Sequence, residues 1–158
     1  MALTDQRQRS VPILYIVIAA VLLAARIISA QFGAHEDADS LVKWVPLEQA
    51  QPLAARSGKP ILYDFTAAWC VPCRDLDRQV FRDPRYARAI NERFIAVRIT
   101  DRQQEDGRNV PAIQELEQRF FVRGFPTVIV ADANGSALAR MEGFRGPEEF
   151  ARVMETAH

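Results

Sequence analysis

The chain has 158 residues, which is enough for one domain of ordinary size and an appendage. Its 20 Lys and Arg residues balance its 20 Asp and Glu residues, so the formal net charge at pH 7 is zero. Because the chain has no basic excess to neutralise a phosphate backbone, we expect no nucleic-acid partner.

An apolar segment near the N-terminus is typical of a membrane anchor. Residues 11–30 are apolar except for Arg26 and Ser29, and a helix of this length spans about 30 Å, the thickness of a bilayer core. Arg7 and Arg9 precede the segment and acidic residues follow it. The positive-inside rule therefore places residues 1–10 in the cytoplasm and the soluble part of the chain outside it. We predict a single-pass protein of a bacterial inner membrane whose soluble domain lies in the periplasm.

Two other interpretations of this segment stay open. Residues 11–25 resemble the apolar region of a secretory signal peptide, with Ala30 as a cleavage position. A helix buried in a soluble protein is the other alternative, although such helices usually carry a polar stripe. An anchor and a signal peptide both place the domain in an oxidising compartment, where cysteines act through disulfides. Residues 31–43 then form a linker, and a domain occupies residues 44–158.

Within residues 44–158, apolar runs of strand length alternate with segments of helical periodicity. Gly58 is typical of a helix end, Asp83 of a helix start, and Asn134-Gly135 of a hairpin. In chain order we predict a helix at 47–57, a strand at 61–65, a helix that begins within 70–73, a helix at 83–93, a strand at 94–100, a helical face formed by Val110, Ile113, Leu116 and Phe120, strands at 126–132 and 137–143, and a helix from residue 147 whose inner face holds Phe150, Val153 and Met154. This order implies an α/β fold with a mixed central sheet flanked by helices.

The two cysteines of the chain, Cys70 and Cys73, are separated by two residues. A CxxC pair can be half of a zinc site, but such a site needs about four ligands. The chain has no further cysteine, and its two histidines, His35 and His158, lie in the predicted linker and at the last residue. We therefore predict no metal. The remaining interpretations are simple packing of two small side chains and a redox couple.

The position of the pair favours the redox couple. The pair follows a buried strand where a helix starts, which is the usual location of function in α/β sheets, and a helix N-terminus stabilises a thiolate. Cys70 would attack a substrate disulfide, and Cys73, one helical turn later, would resolve the mixed disulfide. Pro72 stiffens the loop between the two sulfur atoms. The chemistry needs no cofactor, because the Cys70–Cys73 pair itself carries two electrons as a dithiol and releases them when it forms a disulfide.

Asp64 is a charged residue inside the apolar run at 61–65. It lies either on an exposed edge or in the interior, where burial would raise its pKa. A buried Asp64, six residues before Cys70, could accept the proton of Cys73 during resolution, directly or through water. Further along the chain, Pro126 follows Gly124 and Phe125, and local sequence alone predicts a trans bond before this proline.

The sequence DFTAAWCVPC, followed by GFPT at residues 124–127, resembles the thioredoxin superfamily. Residues 44–157 are most similar to the C-terminal periplasmic thioredoxin-like domain of the DsbD family of thiol-disulfide interchange proteins. The resemblance implies that Cys70 is the exposed nucleophile and Cys73 the resolving cysteine, and it identifies Asp64 with the buried acid. It also implies a cis bond before Pro126. Trp69, Phe125 and Pro126 would then contact the substrate.

Two departures from the family pattern affect the predicted function. Val71-Pro72 replaces the Gly-Pro dipeptide of thioredoxin, so the reduction potential of thioredoxin cannot be assigned to this cysteine pair. DsbD also carries a multi-helix membrane domain with its own cysteines, whereas residues 11–30 contain none. We therefore expect a monomeric disulfide reductase of exported proteins, those of cytochrome c maturation included, recharged by a separate membrane electron carrier of the DsbD or CcdA type. A thiol oxidase or isomerase and a non-catalytic binding module or chaperone are the alternatives.

Overall fold

The computed structural model describes residues 15–18, 21 and 40–157. Residues 15–18 and 21 are helical, and the rest of the predicted anchor at 11–30, residues 1–10 and residues 31–39 lie outside the described residues. Among the described residues, no helix has both the length and the apolar character needed to cross a bilayer. The anchor and its orientation therefore stay predictions.

Helices and strands alternate through the unit Ser40–His158. They are α1 (Leu47–Ser57), β1 (Ile61–Ala67), α2 (Val71–Leu76), a π-helical turn (Asp77–Phe81), α3 (Pro84–Arg93), β2 (Ile95–Asp101), α4 (Gln103–Asp106), α5 (Pro111–Arg119), β3 (Thr127–Ala131), β4 (Ala137–Glu142) and α6 (Pro147–Thr156). The predicted order of elements is confirmed, and α4 is the short helix that the apolar periodicity did not indicate, because none of its residues is buried.

Within residues 40–157, four strands form one sheet in the order β2-β1-β3-β4. β1 pairs with β2 in parallel and with β3 in antiparallel orientation, and β4 pairs antiparallel with β3, so the sheet is mixed as predicted. Side chains of β1 alternate between two apolar layers. Leu62 packs with residues of α2, α3 and α6, whereas Tyr63 and Phe65 pack with residues of α1 and α5. Asp64 has the same parity as Leu62 and therefore points to the layer of α2, α3 and α6.

Local signals in the sequence explain where several helices begin and end. Gly58 ends α1 with φ of 70°, a left-handed conformation that glycine adopts without strain. The Asp83 side chain caps α3 by accepting a hydrogen bond from the Arg85 N–H. The prediction that Val110 lies on the buried face of a helix is wrong. Val110 is the extended residue that precedes α5, and it is 60% exposed.

Residues 40–43, which the sequence pattern assigned to the linker, pack against the domain. Val42 is buried in the apolar layer of α3. The Lys43 N–H donates a hydrogen bond to Asn91 Oδ1 at 2.8 Å, and Asn91 Nδ2 donates one to the Leu41 carbonyl at 3.0 Å. The compact unit accordingly begins at Ser40, before the predicted boundary at residue 44.

Candidate redox site

Cys70 and Cys73 form a disulfide at the junction of β1 and α2. Cys70 is the N-cap of α2, and its Sγ accepts a hydrogen bond from the Cys73 N–H at 3.2 Å. Their Cα atoms are 5.3 Å apart. The helix can begin here because Cys70 keeps an extended backbone and Pro72, in the first turn, has no N–H that a helical hydrogen bond would require. An N–H directed at Cys70 Sγ would stabilise the thiolate that forms on reduction.

Both cysteines are buried in the disulfide form. Cys70 is 2% and Cys73 6% exposed, and with Ala67 they form a small cluster against which Phe125 packs. The Trp69 ring meets the Phe125 ring edge to face, with centroids 5.9 Å apart. The expectation that Cys70 is exposed does not hold for this form, in which Phe125 packs against the cluster.

The bond between Phe125 and Pro126 is cis, as the family resemblance implied, so the trans bond expected from local sequence is wrong. The loop is held by one hydrogen bond between residues distant in sequence, which a local pattern cannot encode, and by one local hydrogen bond. The Gly143 N–H donates a hydrogen bond to the Pro126 carbonyl at 2.8 Å, and Thr127 Oγ1 donates one to the Gly124 carbonyl at 2.7 Å. These contacts place Phe125 beside the disulfide.

The cover over the disulfide yields a prediction. We expect Phe125→Ala to be reduced by dithiothreitol about three to ten times faster than the wild type, because attack by a thiolate depends on access to sulfur. Acid-quenched samples alkylated with a mass label give the rate. Phe121→Ala removes an equally large ring that is 73% exposed on the same loop, and it should react at the wild-type rate. Equal rates for Phe125→Ala and the wild type would show that the ring does not limit access.

Asp64 lies in the interior of the sheet, so the exposed-edge interpretation is wrong. It is 2% exposed on β1, which lies between β2 and β3. Arg98 is its register partner on β2, and Arg98 Nε donates a hydrogen bond to Asp64 Oδ2 at 3.0 Å. Burial favours the neutral carboxyl and the guanidinium favours the carboxylate, so the two effects oppose each other.

Arg98 was not among the predicted site residues, although a signal for it exists. The strand at 94–100 contains a single charged residue, Arg98, just as the strand at 61–65 contains Asp64. Two apolar strands that each bury one charge of opposite sign predict a pair once the strands are known to be neighbours. Strand order is a tertiary property, so the separate patterns could not indicate the contact.

Arg98 also reaches the helical segment that follows the cysteines. Its Nη2 atom donates to Asp77 Oδ1 at 3.0 Å, and Asp77 Oδ2 accepts from Arg82 Nε at 2.6 Å. We name Asp64, Arg98 and Asp77 the ion cluster. Asp77 opens the π-helical turn four residues after Cys73, so the two side chains lie on one side of the helical segment. The cluster thus connects the strand before Cys70 to the helix that carries Cys73.

A second acidic group lies at the C-terminal end of β2. Asp101 is the register partner of Ala67, a residue of the disulfide cluster. Asn109 Nδ2 donates hydrogen bonds to Asp101 Oδ2 and, at 3.1 Å, to Glu117 Oε2. Burial, and secondarily the charge of Asp101, raise the pKa of Glu117, while the hydrogen bond from Asn109 opposes the shift.

The raised pKa of Glu117 predicts a pH-dependent stability effect. The folded state holds the Glu117 proton more tightly than the unfolded state, so stability falls as the pH rises from the unfolded pKa through the folded one. Urea unfolding gives the free energy of unfolding of Glu117→Gln minus that of the wild type. We expect this difference to be more positive at pH 7 than at pH 4. Glu115→Gln, an exposed neighbour on α5, is the matched control and should show no such difference between the two pH values. A Glu117→Gln effect that is the same at both pH values would contradict the assignment.

The described residues include no group of three or more His, Cys, Asp or Glu side chains arranged to hold a metal ion. The site is a disulfide at a strand-to-helix junction with a cis-proline loop against it, which defines a thiol-disulfide oxidoreductase. Residues 47–158 match the sequence model of a thioredoxin-like domain. The chain belongs to the thioredoxin-like family.

Curated relatives include the thiol:disulfide interchange protein DsbD of Salmonella paratyphi A, which is 33% identical over 125 residues. That match covers 77% of this chain and 20% of the relative. DsbD of Vibrio vulnificus is 35% identical over 106 residues, covering 66% of this chain and 17% of the relative. The chain therefore spans about a fifth of the length of these relatives.

Solved structures show the same fold. A DsbH oxidoreductase has a TM-score of 0.64 at 24% identity, covering 73% of this chain and 84% of its own. A thioredoxin from Thermus thermophilus has a TM-score of 0.60 at 26% identity, with 72% and 85% covered. The oxidised C-terminal domain of Neisseria meningitidis DsbD has a TM-score of 0.54 at 24% identity, with 68% and 89% covered. The predicted thioredoxin-like α/β fold is confirmed.

Proposed function

We propose that this chain is a periplasmic disulfide reductase of exported proteins, anchored by residues 11–30 and recharged by a membrane electron carrier. The observation that carries the proposal is the Cys70–Cys73 disulfide at the N-terminus of α2, with the Cys73 N–H directed at Cys70 Sγ. The similarity to DsbD, a thiol:disulfide interchange protein by name, supports this chemistry. The apolar character of residues 11–30 supports the location.

The reaction balances within the dithiol. The Cys70 thiolate attacks a substrate disulfide, forms a mixed disulfide and releases one substrate thiolate. Cys73 loses its proton, its sulfur bonds to Cys70 Sγ, and the second substrate sulfur leaves. Two electrons pass to the substrate and the Cys70–Cys73 disulfide is restored. A membrane carrier of the DsbD or CcdA type would then return two electrons to this disulfide.

Trapping in cells tests the proposal. Full-length Cys73→Ser should accumulate dithiothreitol-sensitive complexes with exported proteins through Cys70, because the mixed disulfide cannot be resolved. The Cys70→Ser/Cys73→Ser double variant is the control and should trap nothing. An absence of complexes, together with undiminished function of the double variant in cells, would favour a binding module or chaperone.

The direction of electron flow needs a separate measurement. Alkylation of thiols in rapidly acidified cells should find the pair mostly reduced, and deletion of the membrane carrier should leave it oxidised. A pair that is oxidised in unmodified cells would contradict the reductase and favour an oxidase or isomerase. Labelling of the mature N-terminus decides whether residues 11–30 are retained as an anchor.

A further inference from the structure

Trp44 is an aromatic residue at the N-terminal edge of the domain. It has no role in the reaction steps described above. It belongs to residues 40–45, the segment that crosses the predicted boundary between the linker and the domain. Its ring lies over the Arg98 guanidinium, with 4.3 Å from Cζ to the ring centroid, and meets the Phe81 ring edge to face at 5.0 Å. Its Nε1–H donates a hydrogen bond to Ser40 Oγ at 2.9 Å. Trp44 is thus held from both sides in contact with the ion cluster.

Arg98 joins the two elements that carry the cysteines. Its side chain, 13% exposed, bonds to Asp64 on the strand that leads into Cys70 and to Asp77 on the turn that follows the helix of Cys73. A guanidinium can do this because its donors are fixed in a planar fork, whereas an ammonium group is a point charge. The position of Arg98 therefore affects both carboxylates together.

Two aromatic rings contact that guanidinium, Trp44 with its centroid 4.3 Å from Cζ and Phe81 with its centroid 5.2 Å from Cζ. Guanidinium groups stack favourably on aromatic faces, and the Trp44 ring keeps water from the face that it covers. Charge pairs attract more strongly where water is excluded. Removal of the ring would admit water and allow Arg98 other side-chain conformations, which would weaken the stabilisation of the Asp64 carboxylate.

We propose that Trp44 is a positioning residue of the resolving step, because it holds Arg98 where it keeps Asp64 as the carboxylate that accepts the proton of Cys73. The inference rests on the dithiol reaction proposed above. In this step the Cys73 proton passes to Asp64, directly or through water, the bond between Cys73 Sγ and Cys70 Sγ forms, and the substrate leaves as a thiolate.

Several groups around Asp64 bear on its protonation. Arg98 faces it from β2, and Asp77 approaches from the π-helical turn with Arg82 behind it. Cys73 lies one helical turn before Asp77. On the other side of β1, β3 places the apolar Val128 in register with Asp64. When Arg98 is held less firmly, the protonated form of Asp64 is therefore favoured, and the resolving step reaches its full rate only at a higher pH.

A two-phase reaction with the chromogenic disulfide 5,5′-dithiobis(2-nitrobenzoate) separates the steps. Attack by Cys70 on the reagent releases one coloured thiolate, and resolution by Cys73 releases a second. In full-length reduced protein, we expect Trp44→Leu to leave the rate of the first phase unchanged. The second phase at pH 7 should be about three- to tenfold slower, because the variant loses part of the rate acceleration that a general base provides. The second phase should recover as the pH rises. Trp44→Phe, which keeps an aromatic face, should behave like the wild type.

The Asp64→Asn background distinguishes positioning from a general loss of structure. If Trp44 acts through Arg98 and Asp64, Trp44→Leu should cause no further change in the second phase of Asp64→Asn. A further slowing in that background, or an unshifted pH profile in Trp44→Leu, would overturn the inference. Should Trp44→Leu not fold, Trp44→Met replaces it, because methionine keeps apolar volume without an aromatic face, and its pH profile should shift upward. If the wild-type protein showed no first phase, the result would instead contradict the proposed function.

Discussion

Arg98→Met is expected to lower the free energy of unfolding at pH 7 by about 3–5 kcal/mol, the usual effect of removing one partner of a buried ion pair. Asp64 and Arg98 have side chains that are 3% and 13% exposed, so water cannot replace the lost guanidinium. Methionine retains a long apolar stem against Trp44, which limits the change to the charge and its hydrogen bonds. The loss should be smaller at pH 4 than at pH 7, because a protonated carboxyl is less costly to bury.

Denaturant unfolding followed by circular dichroism provides the measurement. Arg145→Met is the matched control, because the Arg145 side chain is 80% exposed in its ion pair with Glu149. The control should lose about 0–1 kcal/mol, as is usual for surface ion pairs. Combining Arg98→Met with Asp64→Asn should recover part of the loss. Equal losses in Arg98→Met and Arg145→Met would contradict a structural role of the ion cluster.

Cys70→Ser is expected to reduce the catalysed reduction of insulin by dithiothreitol to the uncatalysed rate, because a serine hydroxyl cannot replace the thiolate that attacks the substrate disulfide. Cys73→Ser should also fail to turn over, but for a different reason. Its Cys70 can still attack once, and the mixed disulfide then persists.

Stoichiometric reaction with the chromogenic disulfide distinguishes these two failures. Cys73→Ser should release one equivalent of coloured thiolate and gain the mass of one aryl thiol, whereas Cys70→Ser should react much more slowly. Both variants lack the disulfide, so differences in crosslinking between them cannot explain the contrast. A faster reaction of Cys70→Ser than of Cys73→Ser would reverse the two assigned roles.

Much of the fold followed from local patterns. Gly58, Asp83 and Asn134-Gly135 act through backbone conformation and short-range hydrogen bonds, and the structure has the expected helix end, helix start and hairpin. Val110 shows where periodicity is insufficient. An apolar residue at the correct spacing can precede a helix instead of lying on it.

The site divides in the same way. Cys70, Cys73 and the start of α2 lie within one short stretch, so spacing and helix chemistry alone indicated a redox couple. The cis bond at Pro126 became a prediction only through resemblance to a known family. The Pro126 carbonyl accepts a hydrogen bond from Gly143, a residue that is distant in sequence.

Local spacing in the sequence was enough to predict that the two cysteines form a redox couple, that a helix begins at them, and that the strand containing Asp64 is buried. These features depend on contacts between near neighbours. Tertiary packing was needed to give Asp64 its partner, to place Phe125 over the disulfide and to bring Trp44 onto Arg98. Each of these contacts joins segments that are far apart in the chain, and electrostatic and apolar interactions act through distance in space.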